Sequence, residues 1–145
     1  MLQKRINKNS IAYGQAIAGV DLTKGALVQL TFVAGVETAG LPASVAAGVV
    51  RGFAFNTVRD DEGTYKANDV IKAGSRMVVY TLAKDDVWAT SEFTAGTIAV
   101  GDKVTFSTGG KIVGIAASEP ALFVVTDIEA AGSAYEDALL NVRVL

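Results

Sequence analysis

The sequence predicts an all-β fold, either a small antiparallel β-barrel or a β-sandwich, with an extended N-terminal arm. The 145 residues include 15 glycines and only 2 prolines, which is typical of short strands joined by tight turns. Apolar and polar residues alternate in several short segments rich in β-branched residues. No segment carries a long apolar stripe of helical period. We assign residues 1–19 to the arm and residues 20–145 to one β-domain.

The N-terminal segment differs from the rest of the chain in charge. Residues 1–10 carry Lys4, Arg5 and Lys8 and no acidic residue, whereas the remainder holds 10 basic and 15 acidic residues. Such a segment is either a frayed, solvated terminus or an arm that becomes ordered on an acidic partner surface. The charge pattern alone leaves both interpretations open.

Charge and hydropathy also limit the partners. The formal net charge of −2 argues against nonspecific binding of nucleic acid by the whole surface. Mean hydropathy is high at +0.36, but a spanning helix needs about 18 or more consecutive apolar residues. The longest uncharged stretch, residues 38–50, is shorter than that and contains Gly40, Pro42 and Gly48. We expect neither a nucleic acid nor a membrane as the partner.

Seven segments are predicted as strands. In residues 26–33 the side chains of Val28, Leu30 and Phe32 share one face, which marks a half-buried strand. Gly52 lies near the centre of residues 49–55 and indicates a bulge or a close backbone approach. The remaining segments are residues 76–82, a hairpin of 103–107 and 111–115 around Thr108-Gly109-Gly110, residues 121–128 and residues 138–144.

A short pattern recurs before three of the strands. An apolar residue, a short gap and a glycine precede an alternating segment at Gly25, Gly74 and Gly101. The apolar residue anchors the turn in the core, and the glycine allows the chain to turn sharply. The spacings are unequal, 49 residues from the first to the second glycine and 27 from the second to the third. We interpret the pattern as a recurring turn and not as a solenoid repeat.

Several predicted strands are apolar on both faces. In residues 76–82, Met77 and Val79 oppose Val78, Tyr80 and Leu82, and residues 121–128 behave similarly. A lone sandwich usually shows polar residues on its outer face, so something must cover the second face. The cover is another sheet, the N-terminal arm or a neighbouring subunit. Because large apolar patches are rare on monomers, we expect a homo-oligomer.

The sequence offers little material for catalysis. It has no histidine and no cysteine, which removes the commonest general base and the Ser-His-Asp and Cys-His arrangements. Gly109-Gly110-Lys111 is followed by Ile112 where a phosphate-binding loop has Ser or Thr, so a hairpin turn is favoured. We expect no catalytic residue and no enzyme activity. An enzyme acting through paired carboxylates is the weakest alternative.

Acidic and aromatic residues supply the remaining candidates. Calcium could be held by Asp60, Asp61 and Glu62 or by Asp85 and Asp86, but neither set has regular EF-hand spacing, so solvated loop charge is favoured. We expect no metal and no cofactor. Trp88 is predicted to lie in the core or at a subunit interface, and Phe93 and Tyr80 are further candidate interface residues. A sugar-binding platform built on Trp88, Phe93 or Tyr65 is the alternative.

The order of these phrases resembles a family of tailed-bacteriophage capsid decoration proteins, also called cement or head-stabilising proteins. The likeness lies in LTKGALVQL, GVVRGFAF, VIKAGSRMVVYTL, AVGDKVTFSTGGKIV and the final NVRVL, and spans most of residues 20–145. Residues 57–66 and 83–93 look like additions to a shorter core. The resemblance implies attachment to the outer surface of an icosahedral shell, where trimers bridge major capsid subunits.

The resulting expectation is a structural virion protein whose partner is the major capsid protein. Lys4, Arg5 and Lys8 would form the arm that contacts the capsid, and a homotrimer is favoured. The alternative is a head-fibre base or a carbohydrate-binding module on the virion surface.

Overall fold

The computed structural model describes residues 1–6, 11–56, 70–116, 118–132 and 137–145, and the all-β prediction is confirmed there. No helix in the described part of the chain has the length and apolarity needed to cross a membrane. The strands are β1 (Leu2–Ile6), β2 (Ala12–Ala18), β3 (Leu22–Thr23), β4 (Leu27–Val33), β5 (Val36–Gly40), β6 (Gly52–Asn56), β7 (Val70–Ile71), β8 (Arg76–Thr81), β9 (Val87–Thr90), β10 (Lys103–Phe106), β11 (Ile112–Gly114), β12 (Phe123–Glu129) and β13 (Leu139–Val144).

The larger strands form one closed barrel and one six-stranded sheet. The first is closed by five strands in the order β2-β5-β4-β6-β8. A separate two-stranded sheet pairs β3, which follows β2, with β7, which precedes β8. The other large sheet has the order β1-β9-β13-β12-β10-β11. In this sheet Phe93, just beyond β9, forms a parallel bridge with Ile112 of β11. The bridge brings the chain after β9 next to β11, so that strands β9 to β13 close on one another. We therefore describe strands β9 to β13 as the second barrel, with β1 added beside β9.

The two barrels have the same topology. In each, the first strand lies parallel to the third and antiparallel to the fifth, and the second strand lies between the third and the fourth. The fourth and fifth strands pair antiparallel in both. Strands β2, β4, β5, β6 and β8 thus correspond to β9, β10, β11, β12 and β13. The chain contains one five-stranded arrangement twice.

Backbone hydrogen bonds confirm the correspondence residue by residue. Six bonds of the first barrel have a counterpart at the matching position of the second. The pairs, each donor N–H first, are Gly25 to Ala54 (2.8 Å) with Gly101 to Val125 (2.9 Å), Ala54 to Ala26 (2.8 Å) with Val125 to Asp102 (2.9 Å), Arg51 to Val28 (2.8 Å) with Leu122 to Val104 (3.0 Å), Leu82 to Arg51 (3.2 Å) with Leu145 to Leu122 (3.1 Å), Thr81 to Ile11 (3.0 Å) with Val144 to Asp86 (3.0 Å), and Gly19 to Ala39 (2.8 Å) with Thr94 to Ile112 (2.9 Å).

The recurring turn predicted from sequence is present, and the structure adds a fourth example. Each turn has a hydrogen bond from its fourth residue to its first and a positive φ at its third residue, the pattern of a type II turn. A strand begins at the next residue in every case. The turns are Thr23–Ala26, Lys72–Ser75, Ala83–Asp86 and Ala99–Asp102, with third-residue φ values of 90° (Gly25), 83° (Gly74), 68° (Asp85) and 93° (Gly101).

Two apolar cores account for the two-faced strands. One core fills the first barrel and includes Val28, Met77 and Val79. The larger core joins one face of the second sheet to the outside of the first barrel, where Phe53 is fully buried and Tyr80 packs against the cluster. Strand β8 is therefore apolar on both sides because the second barrel of the same chain covers its outer face. Of the three covers considered from the sequence, the structure shows the first for this strand, another sheet of the same chain.

Gly52 confirms the predicted close approach of backbones. A Cβ atom added at this position would lie 2.1 Å from the Tyr80 carbonyl oxygen and 2.9 Å from Val79 Cγ1. Strands β6 and β8 pair directly here, with Gly52 opposite Thr81. Only glycine lets the two strands meet at this distance in a barrel of five strands.

The N-terminal segment differs from the arm expected from sequence. Leu2–Ile6 is strand β1, which pairs antiparallel with β9. Ala12–Ala18 is strand β2, which pairs with both β5 and β8 and so helps to close the first barrel. Both strands of the segment 1–19 thus belong to the two large sheets, because their backbone groups form hydrogen bonds with neighbouring strands there.

Candidate interaction surface

Acidic residues do not form a metal centre in the described part of the chain. No group of three or more His, Cys, Asp or Glu side chains that could hold a metal ion is found there. Asp85 is exposed in a turn and the adjacent Asp86 is fully buried, so the two side chains lie in different environments. The other calcium candidates, Asp60, Asp61 and Glu62, lie outside the described residues.

An open groove of about 610 Å³ lies beside the turn that contains Asp85. Its lining includes the basic Lys84 and Arg143, the acidic Asp85 and Asp86, and Thr126. No aromatic side chain is among the described residues that line it. The described lining thus offers no aromatic platform of the kind on which a sugar ring stacks.

Trp88 and Tyr80, two of the aromatic candidates, lie at the junction of the two barrels. Trp88 is fully buried, with its ring 5.5 Å from that of Phe53 and 5.3 Å from that of Tyr80. Tyr80 is half-buried against the same cluster, and so is Phe93. Trp88 and Tyr80 thus meet where the two barrels of one chain pack together, whereas Phe93 bridges to Ile112 within the second barrel. Tyr65 lies outside the described residues.

Arg5 is the basic residue of the predicted arm whose side chain the structure describes, and it is engaged within the chain. The Arg5 guanidinium is 2.5 Å from a Glu129 carboxylate oxygen, and its Nε donates to the Asn141 side-chain oxygen at 3.2 Å. Asn141 in turn donates to the same Glu129 oxygen at 2.7 Å. Lys4 lies on β1 opposite Trp88, and Lys8 lies outside the described residues.

Within the described part of the chain, the most exposed large apolar side chain lies at the tip of the hairpin formed by β4 and β5, residues 32–36. We call these residues the first hairpin tip. Phe32 is 75% exposed, Val33 58% and Val36 48%. Val33 pairs with Val36 across a two-residue turn in which Ala34 and Gly35 have φ of 48° and 80°. Positive φ at both central residues is the arrangement of a type I′ turn, which matches the twist of the strands.

The hairpin is exposed because it extends past the barrel. Strand β6 pairs with β4 only at Leu27 and Val28, so the rest of β4 lacks a neighbour on that side among the described strands. Val28 is fully buried, Leu30 half-buried and Phe32 exposed. The alternation in sequence predicts one buried face for all three residues, whereas the structure buries only its beginning. Phe32 is thus a surface residue that periodicity alone could not identify.

The corresponding hairpin of the second barrel is docked instead of exposed. Strands β10 and β11 form the predicted hairpin, and its tip, residues 107–111, is called the second hairpin tip. Gly110 is buried with φ of 75°, and its carbonyl oxygen accepts a hydrogen bond of 2.8 Å from the Leu27 N–H. A Cβ added at Gly110 would lie 2.7 Å from the Leu27 oxygen and 3.2 Å from Leu41 Cδ2. The second hairpin tip therefore packs directly on the first barrel.

Comparison with known proteins places the fold. No protein-family model matches the chain, and no curated protein matches it. Among solved structures, the chain is similar to the head fibre gp8.5 N base of bacteriophage phi29, with a TM-score of 0.59 and 14% sequence identity. The match covers 94% of this chain and 95% of that one. At this identity the likeness shows that the two chains share a fold along nearly their whole lengths.

Proposed function

We propose that this chain is a structural component of a bacteriophage virion, without enzyme activity, that binds the outer surface of the head. The observation that carries the proposal is the shared fold with a phage head-fibre base over nearly the full length of both chains. The order of phrases that resembles capsid decoration proteins supports the same class of role. The described surface adds an exposed apolar hairpin tip, which suits a protein that works by docking.

Two finer functions fit this class. As a cement protein, the chain would bridge major capsid subunits, and its contact area would have to be broken before the shell opens. As a fibre base, it would hold a projecting fibre on the head without strengthening the shell. The solved structure that shares its fold is described as a head-fibre base, which favours the second function. The resemblance in sequence phrases favours the first.

A titration against assembled, genome-emptied phage capsids tests the proposal. We expect saturable binding, and its absence at all capsid concentrations would contradict attachment to the head. The temperature at which the capsids open separates the two finer functions. A cement protein raises this temperature as its sites fill, whereas a fibre base leaves it unchanged.

The basic residues near the N-terminus can be tested without deleting the segment, since deletion would remove β1 from its sheet. We propose that Lys4 and Lys8 contribute to capsid attachment, while Arg5 is engaged with Glu129. The Lys4→Gln/Lys8→Gln variant is expected to bind capsids more weakly than the wild type. Added salt should reduce the capsid affinity of the wild type more steeply than that of the variant, because salt screens the charges that the variant lacks. Lys84→Gln/Lys111→Gln removes the same charge from exposed positions elsewhere and serves as the control.

A further inference from the structure

In the internal repeat, one hairpin tip and one surface that could receive such a tip are not in contact with each other or with another described part of the chain. Within the chain, the second hairpin tip docks on the first barrel at Ala26 and Leu27, around the start of β4, and at Leu41, just after β5. The equivalent hairpin of the first barrel docks on nothing described in the chain and ends in exposed Phe32, Val33 and Val36. The second hairpin tip therefore has a docking surface within the chain, whereas the first hairpin tip has none among the described residues.

The receiving surface also recurs. The matched hydrogen bonds equate Ala26 with Asp102, because each accepts from the fourth strand of its barrel. Leu27 then corresponds to Lys103. In the first barrel this surface is buried under the second hairpin tip, and Leu27 has no exposed area. In the second barrel Asp102 and Lys103 are exposed.

The chemistry of the open surface suits the open tip. Val100, which corresponds to the buried Lys24 of the first barrel, is 60% exposed in the turn before β10. The tip offers the apolar side chains of Phe32 and Val33. On the receiving surface, the methylene groups of Lys103 add apolar area beside Val100. The first hairpin is also the longer one, with eight residues between Leu30 and Ala39 against five between Phe106 and Ile112. The added length lets its tip reach beyond its own barrel.

We propose that the first hairpin tip of one copy packs on the start of β10, around Val100 and Lys103, in a second copy of this chain. The contact repeats between chains what the second hairpin tip does within one chain. Because the two surfaces differ, the contact is head-to-tail and leaves a tip and a receiving surface free until a ring closes. The inference stands apart from the proposed role on a phage head, since it concerns copies of this chain alone.

Sedimentation equilibrium without any capsid tests the self-association. We expect the wild type to associate as its concentration rises, and Phe32→Asp to associate about tenfold more weakly, as for loss of an aromatic anchor. Ile11→Asp is the matched control, because Ile11 is 68% exposed in the first barrel and lies outside both surfaces. Thermal unfolding checks that all three proteins are folded. A wild type that remains a 15.0 kDa monomer throughout, or an unchanged Phe32→Asp, overturns the proposal.

Cysteine pairing tests which surfaces meet, and the chain has no native cysteine to interfere. In Val33→Cys/Val100→Cys, oxidation is expected to give disulfide-linked dimers and larger species. Either single variant is expected to remain largely unlinked, because a head-to-tail contact brings together unlike positions. Efficient dimers from Val33→Cys alone would reveal a tip-to-tip contact, and a disulfide within one chain would place the two surfaces side by side. Either result overturns the proposal, and neither depends on binding to a phage head.

Discussion

Gly25 and Gly101 occupy the same position in two copies of one barrel, with φ of 90° and 93°. Each donates its N–H to a carbonyl of the fourth strand of its barrel, Ala54 in the first and Val125 in the second. The turn, the hydrogen bond and the strand that follows are thus conserved between the halves, although the surrounding side chains differ. The difference between the two glycines lies in what surrounds them.

Alanine at these two positions separates backbone strain from steric overlap. A Cβ at Gly101 would meet nothing within 4 Å, whereas at Gly25 it would lie 2.6 Å from Thr90 Oγ1 and 2.8 Å from the Met1 oxygen. We expect Gly101→Ala to lower the free energy of unfolding by about 1–2 kcal/mol, the cost of a left-handed backbone for a residue with a Cβ. Gly25→Ala should cost clearly more, as measured by urea denaturation. Equal losses would contradict the overlap.

The fourth turn contains a residue with a side chain where the other three have glycine. Asp85 has φ of 68°, and its turn is otherwise built like those around Gly25, Gly74 and Gly101. Asp85→Gly is expected to raise the free energy of unfolding by about 0.5–1 kcal/mol. Glycine removes the strain of the left-handed backbone, and this gain exceeds the loss that comes from the greater conformational entropy of glycine in the unfolded chain. Lys84→Gly, one position earlier and without positive φ, should instead lower it. Denaturation of both variants checks the sign.

Much of the fold is predictable from local signals. The alternation of residues 26–33 gives β4, the Gly-Gly hairpin gives β10 and β11, and the recurring glycines give turns of positive φ. Gly52 predicts a bulge or a close backbone approach, and the Tyr80 oxygen provides the close approach. These features are local because a turn or a strand face depends on residues close together in sequence.

The repeat and the interaction surface are not predictable in the same way. Comparing successive glycines gives unequal spacings, because Gly74 belongs to a turn late in the first barrel and the true partner of Gly25 is Gly101. The two-faced apolar strands correctly indicate a cover, yet sequence cannot tell a second barrel of the same chain from another subunit. For Trp88 the sequence predicts either a core or a subunit-interface position, and the structure buries it between the barrels of one chain. The repeat, the cover of the two-faced strands and the place of Trp88 all depend on contacts between residues far apart in the sequence.

Asp21 links the turn Lys72–Ser75 to the chain just before β3, and this link depends on pH. Its carboxylate accepts hydrogen bonds from Lys72 Nζ at 2.7 Å and from the Ala73 N–H at 2.9 Å. The Lys72 bond, followed by the Ala73 bond, lowers the pKa of Asp21 below its ordinary value. A lowered folded-state pKa stabilises the fold above the unfolded-state pKa, and that contribution disappears as pH falls through the folded-state pKa.

Asp21→Ala should therefore be less stable than the wild type at neutral pH, and the difference should vanish on strong acidification. Thermal unfolding across an acid-to-neutral pH series measures it. In a Lys72→Ala background the same substitution should have a smaller effect, since only the Ala73 N–H bond remains. Because the pair is exposed, the wild-type advantage should also shrink with added salt. A difference that grows on acidification would contradict the assignment.

Trp88 gives a test that separates a core role from a sugar-binding role. Its side chain is fully buried against Phe53 and Tyr80. Trp88→Ala is expected to cost about 3–5 kcal/mol of stability, as for other large aromatic residues removed from a core. Trp88→Phe keeps most of the apolar volume and should cost less. A stable Trp88→Ala variant that loses only glycan binding would contradict the buried placement.

Gly52 and Gly40 are both strand glycines of the first barrel, and they differ in the space around them. A Cβ at Gly52 would lie 2.1 Å from the Tyr80 oxygen, whereas one at Gly40 would meet nothing within 4 Å. Gly52→Ala must push β6 away from β8, and we expect a loss of about 3 kcal/mol in the free energy of unfolding. Gly40→Ala should be neutral or slightly stabilising, because alanine restricts the unfolded chain. Chemical denaturation of the two variants decides the matter, and a tolerated Gly52→Ala would mean that the barrel can open between β6 and β8.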